Sequence, residues 1–414
     1  MYKKIATLTL IVSLLACMVY AKITNHNNSE KEENYQKYLN FLDDVYSVMR
    51  DNYYRPVSQD TYLRYIQRYK TSVLDKIDTS TFIPTIAQRG AGLMIEALKT
   101  REDHFSTFIP PKIAKDYSNK IYGYKPDLGI TGELAPAKGF LVNHVQKHCN
   151  AYKKGLRKND IILAINNIEL APLSISEIEN LLNVQLETTL DIKYSEHLTR
   201  EIRNINVLCE KYFKETLINL PVKIPNAICL KLASFNQETH NDLKEYIKNI
   251  NQKEIKLLIL DLTDNPGGPP LSVREMSGFF LPEGSHLFYY KKKNVPEFGL
   301  IVPASKIKYT GNIIVVINKK SGSAAELLAG TLQAYKRAII IGASESAGFA
   351  FLKGTFNFDD GSMLAIITGD SYLFNGKKIS TEGITPDIII PENVKNSLEY
   401  IENLYITNKK MFNY

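Results

Sequence analysis

The chain has 414 residues, long enough for a sizeable core and, at roughly 100–200 residues per domain, for two to four domains. An apolar fraction of 44% and a charged fraction of 23% are ordinary for a globular protein and exclude wholesale disorder, collagen and coiled coil. Fifty-one Lys and Arg against 44 Asp and Glu leave a net charge of +7, with the basic residues scattered rather than gathered in a patch, which argues against a nucleic-acid binder.

Lys3 and Lys4, followed by the apolar run Ile5 to Ala16, predict an export signal. Two cleavage readings compete. Leu14-Leu15-Ala16-Cys17 has the form of a lipobox, with Cys17 lipidated. Val19-Tyr20-Ala21 has the small-x-small form of an ordinary signal-peptidase site. An uncleaved anchor is the third reading, although the run is short for a span. Each puts the body of the protein outside the cytoplasm, in the periplasm or cell envelope, and the lipobox reading adds a lipid anchor at Cys17 as membrane attachment. Cys149, Cys209 and Cys229 fit no zinc spacing and read as small buried apolar side chains; a disulfide between two of them is left open. No metal or cofactor is expected.

In chain order, 1–21 is the signal and 22–34 (KITNHNNSEKEEN) a polar linker without an apolar face. From 35 to 121 the pattern is helical: Tyr38, Leu42, Val45 and Met49 recur at three-to-four spacing, and further helices are expected over 60–77 and 82–98. A segment of different texture, 122–208, has short apolar runs divided by turn residues. Asp127-Leu128-Gly129-Ile130 reads as a glycine loop entering a strand. Ala151-x-x-x-Gly155-Leu156-x-x-x-Asp160-Ile161-Ile162 reads as helix, turn and strand. This segment resembles a PDZ domain, in which backbone amides of such a loop, here Leu128, Gly129 and Ile130, hold the carboxylate of a bound C-terminal peptide. Asn159 stands where that family usually has Gly, and Asn tolerates the same left-handed backbone. In 209–414, strands such as Ile255–Leu262 and Gly311–Asn318 alternate with helices such as Ala324–Tyr335, which predicts an α/β sheet.

The stretch richest in chemistry is Asn318-Lys-Lys-Ser-Gly-Ser-Ala-Ala-Glu326. A buried strand ends, a turn follows, and a helix opens at Ser323. The hydroxyl is thus placed among unpaired amides at the positive end of a helix dipole, where an oxyanion is favoured. The same letters, Ser323-x-x-Glu326, also spell a capping box, in which the serine only satisfies helix amides. A second stretch, Ile259-Leu-Asp-Leu-Thr-Asp-Asn-Pro-Gly267-Gly268, runs a buried strand into two glycines whose amides can approach a ligand. Gly267 or Gly268, with Ala324, is the expected oxyanion hole.

Five pieces in order resemble the tail-specific, or C-terminal-processing, serine peptidases: RGAGLMIEALKTREDHFSTFIPP, the PDZ segment, LLILDLTDNPGG, SGSAAELLAGTLQAYKRAIIIG and GITPDIII. The resemblance implies a helical N-terminal domain, a PDZ domain and an α/β core of the crotonase and ClpP kind, with Ser323 as nucleophile and a polypeptide as substrate. The family's lysine base lies twenty-five residues after the nucleophile, and here that residue is Gly348; Lys353 lies five further on. The tricorn-type branch lacks that lysine and uses a histidine at the end of the N-terminal domain, matched by Asp103-His104, and a glutamate near the C-terminal signature, for which Glu382 is the local candidate. Imidazole is a suitable base near neutral pH. Thr263 replaces the Arg that commonly follows the Asp-Leu pair. The expectation is an exported serine endopeptidase, the alternative an inactive peptide-binding pseudopeptidase of the same architecture.

Overall fold

The computed structural model describes residues 29–408 apart from 102, 115, 116, 118–123, 136, 137, 148, 214, 215 and 395. The expected signal and Cys17 lie outside the described residues. Among the described residues, no helix is long and apolar enough to cross a membrane. The chain divides into two compact units. One holds the residues up to 115 with 291–296 and 351–370; the other holds 116–290, 297–350 and 371 onward.

Helices over 29–52, 59–72 and 84–98 supply most of the first unit's described core. The helix described over 29–52 already includes residues 29–34, inside the stretch read as linker and ahead of the expected start at Tyr35. Its first turns are polar but rich in Glu and Lys, which are good helix formers, and Lys37 pairs with Glu33 at 2.9 Å. Tyr38, Leu42, Val45 and Met49 form its buried face. Ser58 caps the Gln59–Ser72 helix, accepting from the amide of Thr61 at 3.2 Å. That helix stops at Ser72, short of the expected Ile77, and a single turn over Leu74–Lys76 follows. Pro84, with its preset φ and no amide to satisfy, opens the Pro84–Leu98 helix. Met94 and Ile95 pack in one core with Phe108, Leu364 and Ile366. Phe108 comes from the Thr107–Ile109 strand, which runs antiparallel to Met363–Ala365.

The second unit contains a β-rich module and an α/β sheet. The module's antiparallel sheet follows the order Ile130–Ala135, Gly139–Val145, Ile161–Ile165, Thr189–Ser195, Ile202–Leu208. Phe140, Val142, Leu156, Ile162, Ile178 and Ile192 fill its core. Asn159 adopts φ 72°, the left-handed backbone that Asn tolerates, and Gly155 sits at φ 104°. Among the described strands, Ile130–Ala135 is an outer one, paired only with Gly139–Val145.

The α/β sheet has six strands in the order Leu217–Leu220, Ala227–Leu232, Leu257–Asp261, Asn312–Ile317, Ile339–Gly342, Ile388–Ile389. All run parallel except the first. A parallel strand covered on both faces reads as a continuous apolar run, which is why NIIVVI buries five of its six side chains. The sheet brings the carboxyl ends of its two central strands, Leu257–Asp261 and Asn312–Ile317, side by side. Ligand sites of open α/β sheets lie at such ends.

Candidate active site

Two loops leave those neighbouring strand ends. One runs through Asn265 to Gly267 and Gly268; the other runs through Ser321 and Gly322 to Ser323, at the mouth of the Ala324–Ala334 helix. Ser323 has φ 53° and ψ −117°. An ordinary N-cap residue is extended. A positive φ at a non-glycine residue costs on the order of 1–3 kcal/mol and persists only where its surroundings impose it. Helix capping therefore does not account for the serine's backbone. The half-buried Ser323 sits against Gly267, where a methyl group would fall 2.6 Å from the serine Cβ and 2.8 Å from the amide nitrogen of Ala324. Only glycine leaves room for this approach.

The amides sort themselves. The Gly267 N–H donates to Asn265 Oδ1 at 2.8 Å, so it is engaged and does not join the expected oxyanion hole. No hydrogen bond among the described residues uses the N–H of Gly268 or of Ala324, which leaves these two of the three expected donors available. Sequence reasoning missed what holds the glycines. Asn265 is fully buried; its Nδ2 donates to the Leu232 carbonyl at 2.6 Å, and its own carbonyl accepts from Gly322 at 2.9 Å. One side chain thus ties the glycine loop to a neighbouring strand end, and its backbone ties it to the serine loop. Thr263, in place of the family's Arg, is held by Asp261 Oδ1 and by the Lys231 ammonium at 2.9 Å.

Glu326 is the other residue whose role was missed. It has no exposed surface. Its Oε2 accepts from the amides of Ser323 and Phe349, each at 2.8 Å, and its Oε1 from the Ser346 hydroxyl and the Gly348 amide, each at 2.6 Å. Burial raises its carboxyl pKa in spite of those four donors. With both oxygens filled, Glu326 has no lone pair free for the Ser323 hydroxyl. A clue lay in the sequence: a single acid within the apolar run AAELLAGTL.

The remaining expected residues are placed as follows. Glu382 is exposed, and its carboxylate makes no hydrogen bond among the described residues. Its neighbour Thr381 has φ 75° and packs on Gly348. His104 belongs to the first unit, where it is exposed and its imidazole makes no hydrogen bond to the described residues. Asp103 beside it is buried: Oδ2 takes the Tyr53 hydroxyl at 2.7 Å, and Oδ1 takes the amides of Phe105 and Ser106 at 2.9 and 2.8 Å. Asp103 therefore sets the turn that presents His104. In the same unit the Lys353 ammonium lies 4.0 Å from the Phe105 ring centroid; desolvation lowers its pKa, and the charge of Asp103 opposes this. In the β-rich module, Gly129 has φ 73°, and a side chain there would strike Cys149 Sγ at 2.7 Å, so the Leu128–Ile130 loop requires glycine.

A strained serine at a helix mouth, and two amides without a hydrogen bond among the described residues, thus lie beyond the carboxyl ends of the parallel strands of an α/β sheet. Residues 227–390 match peptidase family S41, and residues 141–193 match the PDZ domain. The chain thus carries an S41 serine-peptidase domain and a PDZ domain. It is 25% identical over 308 residues to "Carboxyl-terminal-processing peptidase 2, chloroplastic" of Arabidopsis thaliana, a match covering 71% of this chain and 59% of that protein. It is 23% identical over 402 residues to "Probable CtpA-like serine protease" of Staphylococcus aureus, covering 95% of this chain and 73% of the other. The fold is similar to that of the photosystem II D1 C-terminal processing protease, with a TM-score of 0.51 at 18% identity over 88% of this chain and 96% of that one. It is also similar to a lipoprotein from Streptococcus agalactiae, with a TM-score of 0.50 at 14% identity over 91% and 96% of the two chains.

Proposed function

We propose that the protein is an exported serine endopeptidase that cleaves unfolded or C-terminal segments of polypeptides through an acyl-enzyme on Ser323. The observation that carries this reading is the positive-φ backbone of Ser323 packed on Gly267, with the Gly268 and Ala324 amides free. The Ser323 oxygen attacks the peptide carbonyl carbon, and its proton passes to a base. The carbonyl oxygen becomes an oxyanion that takes the two amides, each such donor being worth about 2.7–4 kcal/mol. The amine leaves with a proton returned by the base, and water then releases the acyl group. His104 is the base in this reading, a role that rests on the Asp103-His104 motif, and Glu382 is its acidic partner. The Leu128–Ile130 loop and the outer strand Ile130–Ala135 take the peptide's C-terminus by strand addition. The charged and apolar segments before Cys17 are the basis for export, with lipidation at Cys17 or cleavage after Ala21.

One observation favours the second reading, a peptide-binding pseudopeptidase: Gly348 stands where the resembling family carries its lysine base. Hydrolysis of an unfolded protein by the purified full chain, lost in Ser323→Ala, supports the enzyme. Peptide binding without hydrolysis in the wild type supports the pseudopeptidase.

A further inference from the structure

The loop that carries the base in related peptidases is bound up here by groups that the proposed reaction does not use. Ser346 is the centre of that wiring. Its hydroxyl donates to Glu326 Oε1 at 2.6 Å and accepts from the Ile384 amide at 2.7 Å, while its own amide donates to the Ile384 carbonyl at 3.1 Å. The same carboxylate holds the Gly348 and Phe349 amides and the amide of Ser323. The Ala347 amide donates to the Ser321 carbonyl at 2.9 Å. Gly383 completes the arrangement, since a side chain there would lie 2.8 Å from the Ser346 carbonyl oxygen.

We infer that Ser346 is a positioning residue: through Glu326 it latches segment 346–349 and the Gly383–Ile384 turn onto the backbone of Ser323 and holds the serine in its strained conformation. The inference rests on the reading of Ser323 as nucleophile. Its physical basis is the unfavourable φ of Ser323. Such a backbone relaxes unless neighbouring groups over-determine it. Here the restraint on the Ser323 amide is one oxygen of a buried carboxylate whose own position depends on donors from 346–349. Among the described residues, Ser346 supplies the one side-chain donor to Glu326, and it anchors the segment at its far side to Ile384. Removing the hydroxyl leaves Oε1 with one donor and the Ile384 amide with none, and buried groups left unpaired drive local rearrangement.

The test has two readouts on the purified full chain. The first is amide hydrogen exchange. In the wild type, the Gly348 and Phe349 amides should exchange at least about a hundredfold more slowly than the amide of Glu345 in the same loop, and in Ser346→Ala at least about tenfold faster than in the wild type. Ser346→Thr, which keeps the hydroxyl, should stay within about threefold of the wild type. The second readout is covalent labelling of Ser323 by a fluorophosphonate. Ser346→Ala should lower the maximal labelling rate at least about tenfold with the half-saturating concentration unchanged, and Ser346→Thr should restore it. Unprotected Gly348 and Phe349 amides in the wild type overturn the latch, whether or not any variant folds. Equal exchange in Ser346→Ala and wild type also overturns it, as does slowed labelling that Ser346→Thr fails to restore. A wild type that exchanges as expected but never labels keeps the latch and removes the nucleophile reading.

Discussion

The carboxylate of Glu326 holds the amide of Gly348 at 2.6 Å, so the residue standing where related peptidases carry a lysine base is fastened by its backbone to the helix that opens at Ser323. Gly348 has φ 70°, and a side chain there would lie 3.0 Å from the carbonyl of Thr381. Gly348→Lys therefore does not restore a Ser-Lys pair. We expect it to destabilise the protein by about 1–3 kcal/mol. Thermal melts with fluorophosphonate labelling check this; a lysine variant that melts as the wild type and labels faster contradicts the geometry.

Asn265→Ala should be costly for a residue outside the proposed chemistry. It strips a partner from the buried Leu232 carbonyl and from the Gly267 amide. An unpaired buried group costs about 1–3 kcal/mol, so denaturant titration should show a loss in that range. Because Asn265 also fixes the glycine loop, labelling of Ser323 should fall by about tenfold or more. A loss of stability with unchanged labelling separates the fold from the site.

The cysteines make a third prediction. Cys149, Cys209 and Cys229 are buried, and none forms a disulfide among the described residues. Burial raises the thiol pKa of Cys149 and pushes that of Cys229 up to about 12. Thiolate is the reactive form, so at about pH 8 the native protein should resist a thiol-specific reagent at all three positions and react once unfolded. Intact-mass measurement after labelling reads this directly; rapid native reaction, or a missing thiol after denaturation, contradicts it.

Much of this architecture was legible in the residues. A run such as GNIIVVIN can satisfy its burial only as a strand inside a parallel sheet, and Asn159 reads as a left-handed turn because few other residues adopt one. The serine at a helix mouth and the double glycine were readable because each needs a particular backbone. What was not readable is the wiring between loops distant in sequence. Glu326 looked like half of a capping box, and it does accept the Ser323 amide, but its remaining partners lie some twenty residues on. Asn265 gave no periodic signal, because its bonds run to a strand end and to the next glycine. That the first helix includes residues 29–34 was hidden because these polar residues have no apolar face to mark it.

The PDZ groove should distinguish a free carboxylate from an amide. Gly129 at φ 73° leads into an outer strand, the arrangement that peptide capture by strand addition requires. A peptide with a free apolar C-terminus should bind at least about tenfold more tightly than its amidated form, about 1.4 kcal/mol. Calorimetric titration of both forms checks this, and equal affinities contradict carboxylate capture.

The central claim is that Ser323 is a nucleophile activated by His104. The direct measurement is the rate of fluorophosphonate adduct formation on the purified full chain, with the modified residue located by mass spectrometry, in wild type, Ser323→Ala, His104→Ala and Lys353→Ala. The account predicts one adduct, on Ser323, absent in Ser323→Ala. It predicts that the adduct forms at least about a hundredfold more slowly in His104→Ala, nearly unchanged in Lys353→Ala, and more slowly in wild type as the pH falls from about 8 to about 5, since a histidine base must be neutral. An adduct that forms as fast without His104, or no adduct on Ser323 at any pH, would contradict it.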